Sequence, residues 1–492
     1  MPQHEENNRP DVFDPQRWGL PPEAVADLAN RLQRTWARFR SCFKTKTRDT
    51  SANAWVYLRG LLELPGKRNI VNIARRVLGI DADGQDLQQF MSDSPWSAQA
   101  VFDQIHQELQ QRPELAGGML TLDESGALCS GHQKAGAARQ YLGSVGKVDL
   151  GQVGVALGYY RDGTWALVGA ELYLPEVWFD AAHADLRRRW HIPADRTFAT
   201  KPELGWQLIQ HARRTGLPFS VIGCDSLYGR DGQLRADLDA RHEIYLADIP
   251  ADTQVYLAQP IVGVPETPAG RIGRPLSQPQ VLNQVPPVEV RSLIQHPDWQ
   301  LQPVAIRQAE RGVLTYDCAA RQVWTVSPSH QVRTEWLLLR READGSFSFS
   351  LSNAPAATSV QQLALWRCQR YFVERTFQDA KTEGGWDELV ARKYRAWLHH
   401  TALDALALWF VAETKLDWRQ AHPRDPALRQ ELEVEVLPAL SMANVRELLQ
   451  AVLPLKHLSP AEATRLVVKH LVQRTNATRS RLKVQRQYQG PT

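Results

Sequence analysis

A single acid set among bases at helical spacing is the first chemistry this sequence offers. From Trp366 to Trp386 it reads WRCQRYFVERTFQDAKTEGGW, where Arg370, Glu374, Gln378 and Lys381 follow at steps of four, four and three, with Phe377 beside them. At 3.6 residues per turn these positions share one face of a helix. A carboxylate ligates a hard divalent ion, an arginine forks onto phosphate oxygens, and a lysine adds a point charge to the same backbone. The pattern also fits an ordinary amphipathic helix with Glu and Lys pairs on its solvated side. The rest of the chain must decide between the two.

Two earlier segments supply acids in matching settings. In GGMLTLDESG the apolar run Met119 to Leu122 reads as a strand that presents Asp123 just before turn-forming residues. In LPFSVIGCDSLYG the run Phe219 to Cys224 reads as a buried strand ending on Asp225, with Gly229 just beyond. Carboxyl ends of strands are where ligands gather in open sheets. An aspartate after a strand also serves as a turn former or a helix cap, and each position alone allows that reading.

The order LTLDESG, ARQYLGSVGKVDLGQVGVALG, ELYLPEVW, VIGCDSLYG and YFVERTFQDAKTEGGW resembles the DDE transposases of bacterial insertion sequences. It is most similar to the insertion-sequence 701 group of the insertion-sequence 4 supergroup, and the likeness runs from about Trp55 to the tail. The late signature of that family is Tyr, two residues, Arg, three residues, Glu, six residues, Lys. Arg370, Glu374 and Lys381 stand at those intervals, and Arg367 stands where tyrosine is usual. The resemblance implies that Asp123, Asp225 and Glu374 are both the catalytic and the metal-ligating carboxylates of a ribonuclease-H-like core. It implies two Mg²⁺ ions, with Mn²⁺ as a substitute, and no nucleotide or organic cofactor. Paired divalent ions ~3.5–4 Å apart activate the nucleophile and relieve charge on the leaving oxygen in phosphodiester chemistry. Arg370 and Lys381, with Gln378 as a weaker helper, would then hold the scissile strand.

The elements that must position these residues read as an α/β fold: a ribonuclease-H-like mixed sheet flanked by helices, with an N-terminal helical domain, a β-rich insertion before the last catalytic acid, and a helical, basic C-terminus. Residues 1–25 read as a flexible start. Residues 26–115 carry helical periodicity, and Pro65 and Gly66 break the middle segment ahead of Lys67, Arg68, Arg75 and Arg76. That is either a helix-turn-helix-like reader of DNA ends or a plain bundle with a basic face. Residues 116–249 give the first part of the core: an antiparallel meander of three strands, the crossover helix KPELGWQLIQHARRTG, the strand ending at Asp225, and EIYLADIP as a fifth strand. Residues 250–355 turn proline-rich and β-like; VWTVS, TEWLLLRRE and FSFSLSN read as strands, and GRIGRP is an exposed or DNA-touching loop. Residues 356–416 complete the core, where RKYRAWLHHTALDALALWFVAETKL reads as an apolar helix packed on the sheet, with His399 and His400 in packing roles. Residues 417–492 read as further helices and a basic tail.

Composition narrows the class. The 492 residues are 43% hydrophobic, ample for a sizeable core. Charge is nearly balanced, 58 basic against 54 acidic residues, so its placement says more than its sum. No acid follows Glu462, whereas Arg479, Arg481 and Lys483 belong to a basic run that is either a solvated tail or a phosphate contact. Five scattered cysteines with no two-residue spacing argue against zinc sites and a disulfide framework and suit a reducing compartment. No apolar stretch approaches the ~20 residues of a membrane span, and the polar start lacks a signal peptide's pattern. The expected protein is cytoplasmic, bacterial and nucleoid-associated. Its expected partners are double-stranded DNA, as transposon ends and target, and a second copy of itself. The expected activity is transposition: binding terminal inverted repeats, metal-dependent strand cleavage and strand transfer. Two alternatives are a ribonuclease-H-like nuclease or domesticated transposase that cuts without joining, and a non-catalytic DNA-binding regulator.

Overall fold

In the computed structural model, which describes residues 11–143, 145–266, 277–310, 312–453 and 459–488, apolar residues at helical spacing ahead of the sheet form six helices. They are Pro22–Ala26 (α1), Leu28–Phe39 (α2), Ser51–Glu63 (α3), Ile70–Leu78 (α4), Gln85–Asp93 (α5) and Ala98–Gln110 (α6). The segment before α1 was expected to be loose. From residue 11 onward it is instead pinned, because the buried Arg17 guanidinium takes Asp425 at 2.7 Å and Glu431 at 2.6 Å. An arginine held by two carboxylates fixes a chain end that its own composition would leave free. The GRIGRP segment and residues 1–10 lie outside the described residues.

Gly118–Leu128 (β1) is the strand on which the sheet is built, since its first half is apolar and buried. Three further strands follow in the chain: Ala138–Leu142 (β2), Lys147–Arg161 (β3) and Thr164–Leu172 (β4). One edge of β1 pairs antiparallel with β3, whose length lets its far edge take both β2 and β4. The other edge of β1 pairs parallel with Phe219–Cys224 (β5). A parallel neighbour requires a crossover. After the short Ala184–Arg189 (α7), the helix Lys201–Arg214 (α8) provides it, started by a capping box between Thr200 and Glu203. Ser226–Gly229 (α9) and Gly232–Ala240 (α10) return the chain to Tyr245–Ile249 (β6), parallel to β5. The resulting order β4-β3-β1-β5-β6 is the mixed ribonuclease-H-like arrangement that the sequence implied.

Two points of the strand reading change. β1 does not end at Asp123 but runs on to Leu128, because β3 continues to offer ladder partners from Val155 to Gly151. What ends near Asp123 is the pairing with β5, whose last register pair is Leu122 with Cys224. The segment after β6 also joins the same sheet. Gln302–Ala309 (β7), Gly312–Val326 (β8), Val332–Arg341 (β9) and Phe347–Ser352 (β10) form an antiparallel meander, and β10 pairs with β6 to complete ten strands. A free edge at β6 would expose unpaired amides and carbonyls, which β10 covers.

The remaining helices are Val360–Gln369 (α11), Tyr371–Asp379 (α12), Tyr394–Ala421 (α13), Ala427–Glu431 (α14), Met442–Val452 (α15) and Pro460–Tyr488 (α16). Helix α13 is buried almost all round; apolar residues dominate it, and polar ones such as His399, His400 and Glu413 find partners on neighbouring elements. It packs on β4 and also on α3, α5, α6 and α15, so one continuous core spans the first helices and the sheet. His399 and His400 pack as expected. His399 stacks on Trp96 at 3.7 Å, and His400 bridges the Tyr57 hydroxyl at 2.9 Å and the Gly385 carbonyl at 3.0 Å. Burial pushes both rings down to about 4. Among the described residues no helix is long and apolar enough to cross a membrane.

Charge as well as apolar contact joins α13 to the early helices. Glu413 receives Arg38 at 2.8 Å and Arg112 at 2.9 Å, while Glu108 takes Arg38 at 2.7 Å and the Trp409 indole at 2.7 Å. Removing one acid from such a buried set leaves guanidinium groups short of partners. Glu413→Ala is expected to cost about 2–3 kcal/mol in urea unfolding, below the full buried-pair figure because Glu108 and Asp417 still serve the arginines. A change within about 0.5 kcal/mol would show that the network contributes nothing.

Candidate active site

The two aspartates meet because β1 and β5 run parallel and their pairing stops at the same level. Asp123 follows Leu122 on β1, and Asp225 follows Cys224, its register partner's strand end, on β5. Asp225 is held by its local turn: its Oδ1 accepts the amides of Leu227 at 3.0 Å and Tyr228 at 3.4 Å, capping α9. That turn is pressed onto the next strand, since a Cβ on Gly229 would overlap the Asp248 carbonyl. Asp123 Oδ1 accepts the adjacent Glu124 amide at 2.7 Å and no other donor among the described residues.

Burial pushes the Asp123 carboxyl up to about 7, and the charge of Asp225 pushes in the same direction. Asp225 is also raised, first by burial and then by Glu124, against the amides and Arg370. Glu124 pairs through Oε1 with Lys201 at 2.9 Å, while its Oε2 is buried without a hydrogen-bond partner among the described residues. The buried Tyr228 ring lies against the same three acids, and burial followed by their charge raises its hydroxyl far above the usual range. The place of Glu124 beside these acids comes only with the fold.

Arg370 is the counter-charge. Its Nε lies 3.0 Å from Asp248 Oδ2 and its Nη2 is 3.8 Å from Glu374 Oε1. Burial works to lower its pKa, but Asp248, Asp123, Glu374 and Asp225 together raise it. Asp248 Oδ1 takes Arg367 at 2.7 Å and also accepts the Ser350 hydroxyl at 2.7 Å. Arg367, which replaces the usual tyrosine, is therefore committed to Asp248 inside the fold. Asp248 itself was passed over in EIYLADIP, although a charged residue within a buried strand signals that a buried partner exists.

The expected helical face holds from Arg370 to Glu374 and changes further on. Arg370, at the junction of α11 and α12, keeps helical dihedrals and its amide still bonds the Trp366 carbonyl at 3.1 Å, whereas Ala380–Gly384 forms a wider π turn. The widening lets Gly384 press against the Asp404 carboxylate of α13, where a Cβ would overlap it. Glu374 projects from α12 with its side chain 55% exposed. Gln378 is exposed and accepts Arg375 at 2.7 Å. Lys381 sits in the π turn, its ammonium lowered by burial and faced by Asp387. So Asp123, Asp225 and Arg370 come together, Glu374 is linked to them through Arg370, and Gln378 and Lys381 are engaged elsewhere. Among the described residues no three His, Cys, Asp or Glu side chains gather closely enough to hold a metal ion as a set.

Beside Glu374 a cleft of about 420 Å³ separates α11 and α12 from β7 and β8. Arg307 and Arg340 line it with Tyr316, Tyr371 and Phe372, the last stacked on Tyr160 at 3.8 Å. Of the other basic residues singled out from sequence, Lys67 is exposed, Arg75 is half-buried, and Arg479 and Lys483 are exposed on α16. The Arg481 side chain lies outside the described residues. Arg68 differs from its expected surface role: it is 4% exposed, and its Nε donates to the Leu61 carbonyl at 3.1 Å. Folding of α4 against α3 turns it inward.

Residues 38–313 match the family model described as DDE superfamily endonuclease. The chain belongs to the DDE superfamily endonucleases. The match contains Asp123 and Asp225 and stops before Glu374. A protein of Microchaete diplosiphon, named as a probable transposase for insertion sequence element IS701, is 30% identical over 172 residues, 34% of this chain and 40% of that relative. The chain thus matches less than half of the relative's length.

The donor chemistry fits a hard divalent cation that completes its shell with water and substrate oxygens: two neighbouring carboxylates, both raised by burial, Asp123 further by the charge of Asp225. Because its folded-state pKa is raised, Asp123 contributes stability that is full below the ordinary carboxylate range and lost as pH rises through about 7. Asp123→Asn is expected to stabilise the metal-free protein by about 2 kcal/mol at pH 8 and to change little at pH 4. Urea midpoints at both pH values measure this, and equal effects at the two would count against the assignment.

Proposed function

We propose that this chain is a transposase of a bacterial insertion sequence, binding the element's inverted terminal repeats, cutting strands there and joining the 3′ ends to target DNA. One observation carries the reading: in a DDE endonuclease chain, parallel strand ends bring Asp123 and Asp225 together beneath the helix that bears Glu374. Asp123, Asp225 and Glu374 would hold the divalent ions, Mg²⁺ by preference. When bound, such ions supply charge relief and an activated nucleophile for in-line displacement at phosphorus.

The chain's own residues supply position. Arg370 keeps opposite charge between Asp248 and Glu374 and stands where a scissile phosphate would meet it. The cleft beside Glu374, with arginines and aromatic faces, suits a strand adjoining the cut, since cations neutralise backbone phosphates and rings accept bases. Lys67, Arg75, Arg479 and Lys483 are proposed as outer phosphate contacts. Water and then a 3′ hydroxyl can use the same site in turn, because both reactions displace at phosphorus. Two ends must be brought together, so the active species is proposed to be a homodimer on DNA.

Asp123→Ala, Asp225→Ala and Glu374→Ala should each lower Mg²⁺-dependent cleavage of a terminal-repeat duplex at least about a thousandfold, roughly 4 kcal/mol of barrier. Duplex binding should stay within a few fold. Full cleavage by Glu374→Ala would remove that residue from the site. Joining of a pre-cut terminal-repeat oligonucleotide to plasmid distinguishes a transposase from a nuclease that cuts only, and binding without metal-dependent cleavage would mean a regulator.

A further inference from the structure

At the other end of the β3–β4 hairpin from Asp123 lies a second basic site. Asp123 pairs with Ala156, and the hairpin turns at Asp162 and Gly163. A cavity of about 280 Å³ opens there, between the first described residues and the end of α13. Lys415, Arg419 and Arg424 line it, and Trp18, Leu416 and Trp418 form apolar walls. None of its described lining residues is acidic.

Arg419 and Arg424 are braced by neutral groups. Arg419 Nη1 donates to the Asp162 carbonyl at 2.7 Å, and Arg424 Nη1 to the Pro438 carbonyl at 2.6 Å. Arg424 also lies over the Trp18 ring at 5.6 Å, and Lys415 Nζ over the Trp165 ring at 4.4 Å. The acid facing Lys415 is Asp379, whose Oδ2 accepts the Trp165 indole at 2.9 Å and whose Oδ1 lies 4.0 Å from Arg375. Burial lowers Lys415 to about 8, an effect that Asp379 only partly offsets. Nearby Arg17, by contrast, is fully matched by Asp425 and Glu431. Like charges held in a poorly solvated space repel, and an entering anion relieves that repulsion.

We propose that this cavity binds a phosphate ester. Two arginine forks and one ammonium suit phosphate oxygens, and the Trp18 indole offers a face to an attached ring. The phosphate comes either from the backbone of DNA passing outside the active site or from a free nucleotide or pyrophosphate. The site uses none of the residues proposed for catalysis and stands or falls apart from them.

The test compares the full chain with Arg419→Gln, Arg424→Gln and their double variant, each shown to fold by circular dichroism and thermal unfolding. Calorimetry with inorganic pyrophosphate reads the free-phosphate source, where the double variant should bind at least about tenfold more weakly, roughly 1.4 kcal/mol. Duplex binding over a salt series reads the DNA source, where the slope of log affinity against log salt should fall by about one for each phosphate that is no longer neutralised. If Arg424→Gln unfolds for want of its bond to Pro438, Lys415→Gln gives the same readouts with that bond intact. Unchanged pyrophosphate affinity together with an unchanged salt slope would overturn the proposal.

Discussion

Two carboxylates at the ends of neighbouring parallel strands cannot share a half-buried site as free anions without a counter-charge. Asp123 and Asp225 are in that position, and the surroundings are arranged about it. Burial raises both, the charge of Asp225 adds to the rise of Asp123 and that of Glu124 to the rise of Asp225, and Arg370 is the cation that opposes both. A site that is short of positive charge when empty is one that a divalent ion and its phosphate ligand can complete. The parallel pairing of β1 with β5 creates this condition, and the α8 crossover makes the pairing possible.

The position of Arg370 depends in turn on Asp248. That carboxylate gives one oxygen to Arg367 and the other to Arg370, and the Ser350 hydroxyl steadies it from β10. The meander β7 to β10 therefore does more than cover the edge of β6: it supplies part of the footing for Arg370. Glu374 lies one helical turn beyond Arg370, so its distance from the two aspartates is governed by how Arg370 divides itself among acids. Beyond Glu374, the π turn lets the backbone at Gly384 settle against Asp404, which fixes the far end of the same helix on α13.

Helix α13 ties these parts into one body. Its faces meet β4, the early helices and α15, and its acids satisfy arginines from α2 and Arg112, two residues beyond α6. Charges that would be costly singly are tolerated because each is shared among several partners. The same helix ends at the basic cavity, where that matching of charge stops.

By itself the sequence determined the local elements and the candidate acids. Apolar runs located β1 and β5, helical periodicity located α8 and α13, and the intervals from Arg370 to Lys381 drew attention to α12. The family match at residues 38–313 agrees with that reading as far as it extends. Tertiary structure alone decided what these groups touch. It placed Asp248 between two arginines, turned Arg68 inward, carried β1 past Asp123, joined the later meander to the sheet, and widened the helical face at Ala380–Gly384. The reason is one of range: periodicity records how a residue sits on its own helix or strand, whereas ion partners, strand edges and helix breaks are set by segments far apart in the chain, which leave no local pattern in it.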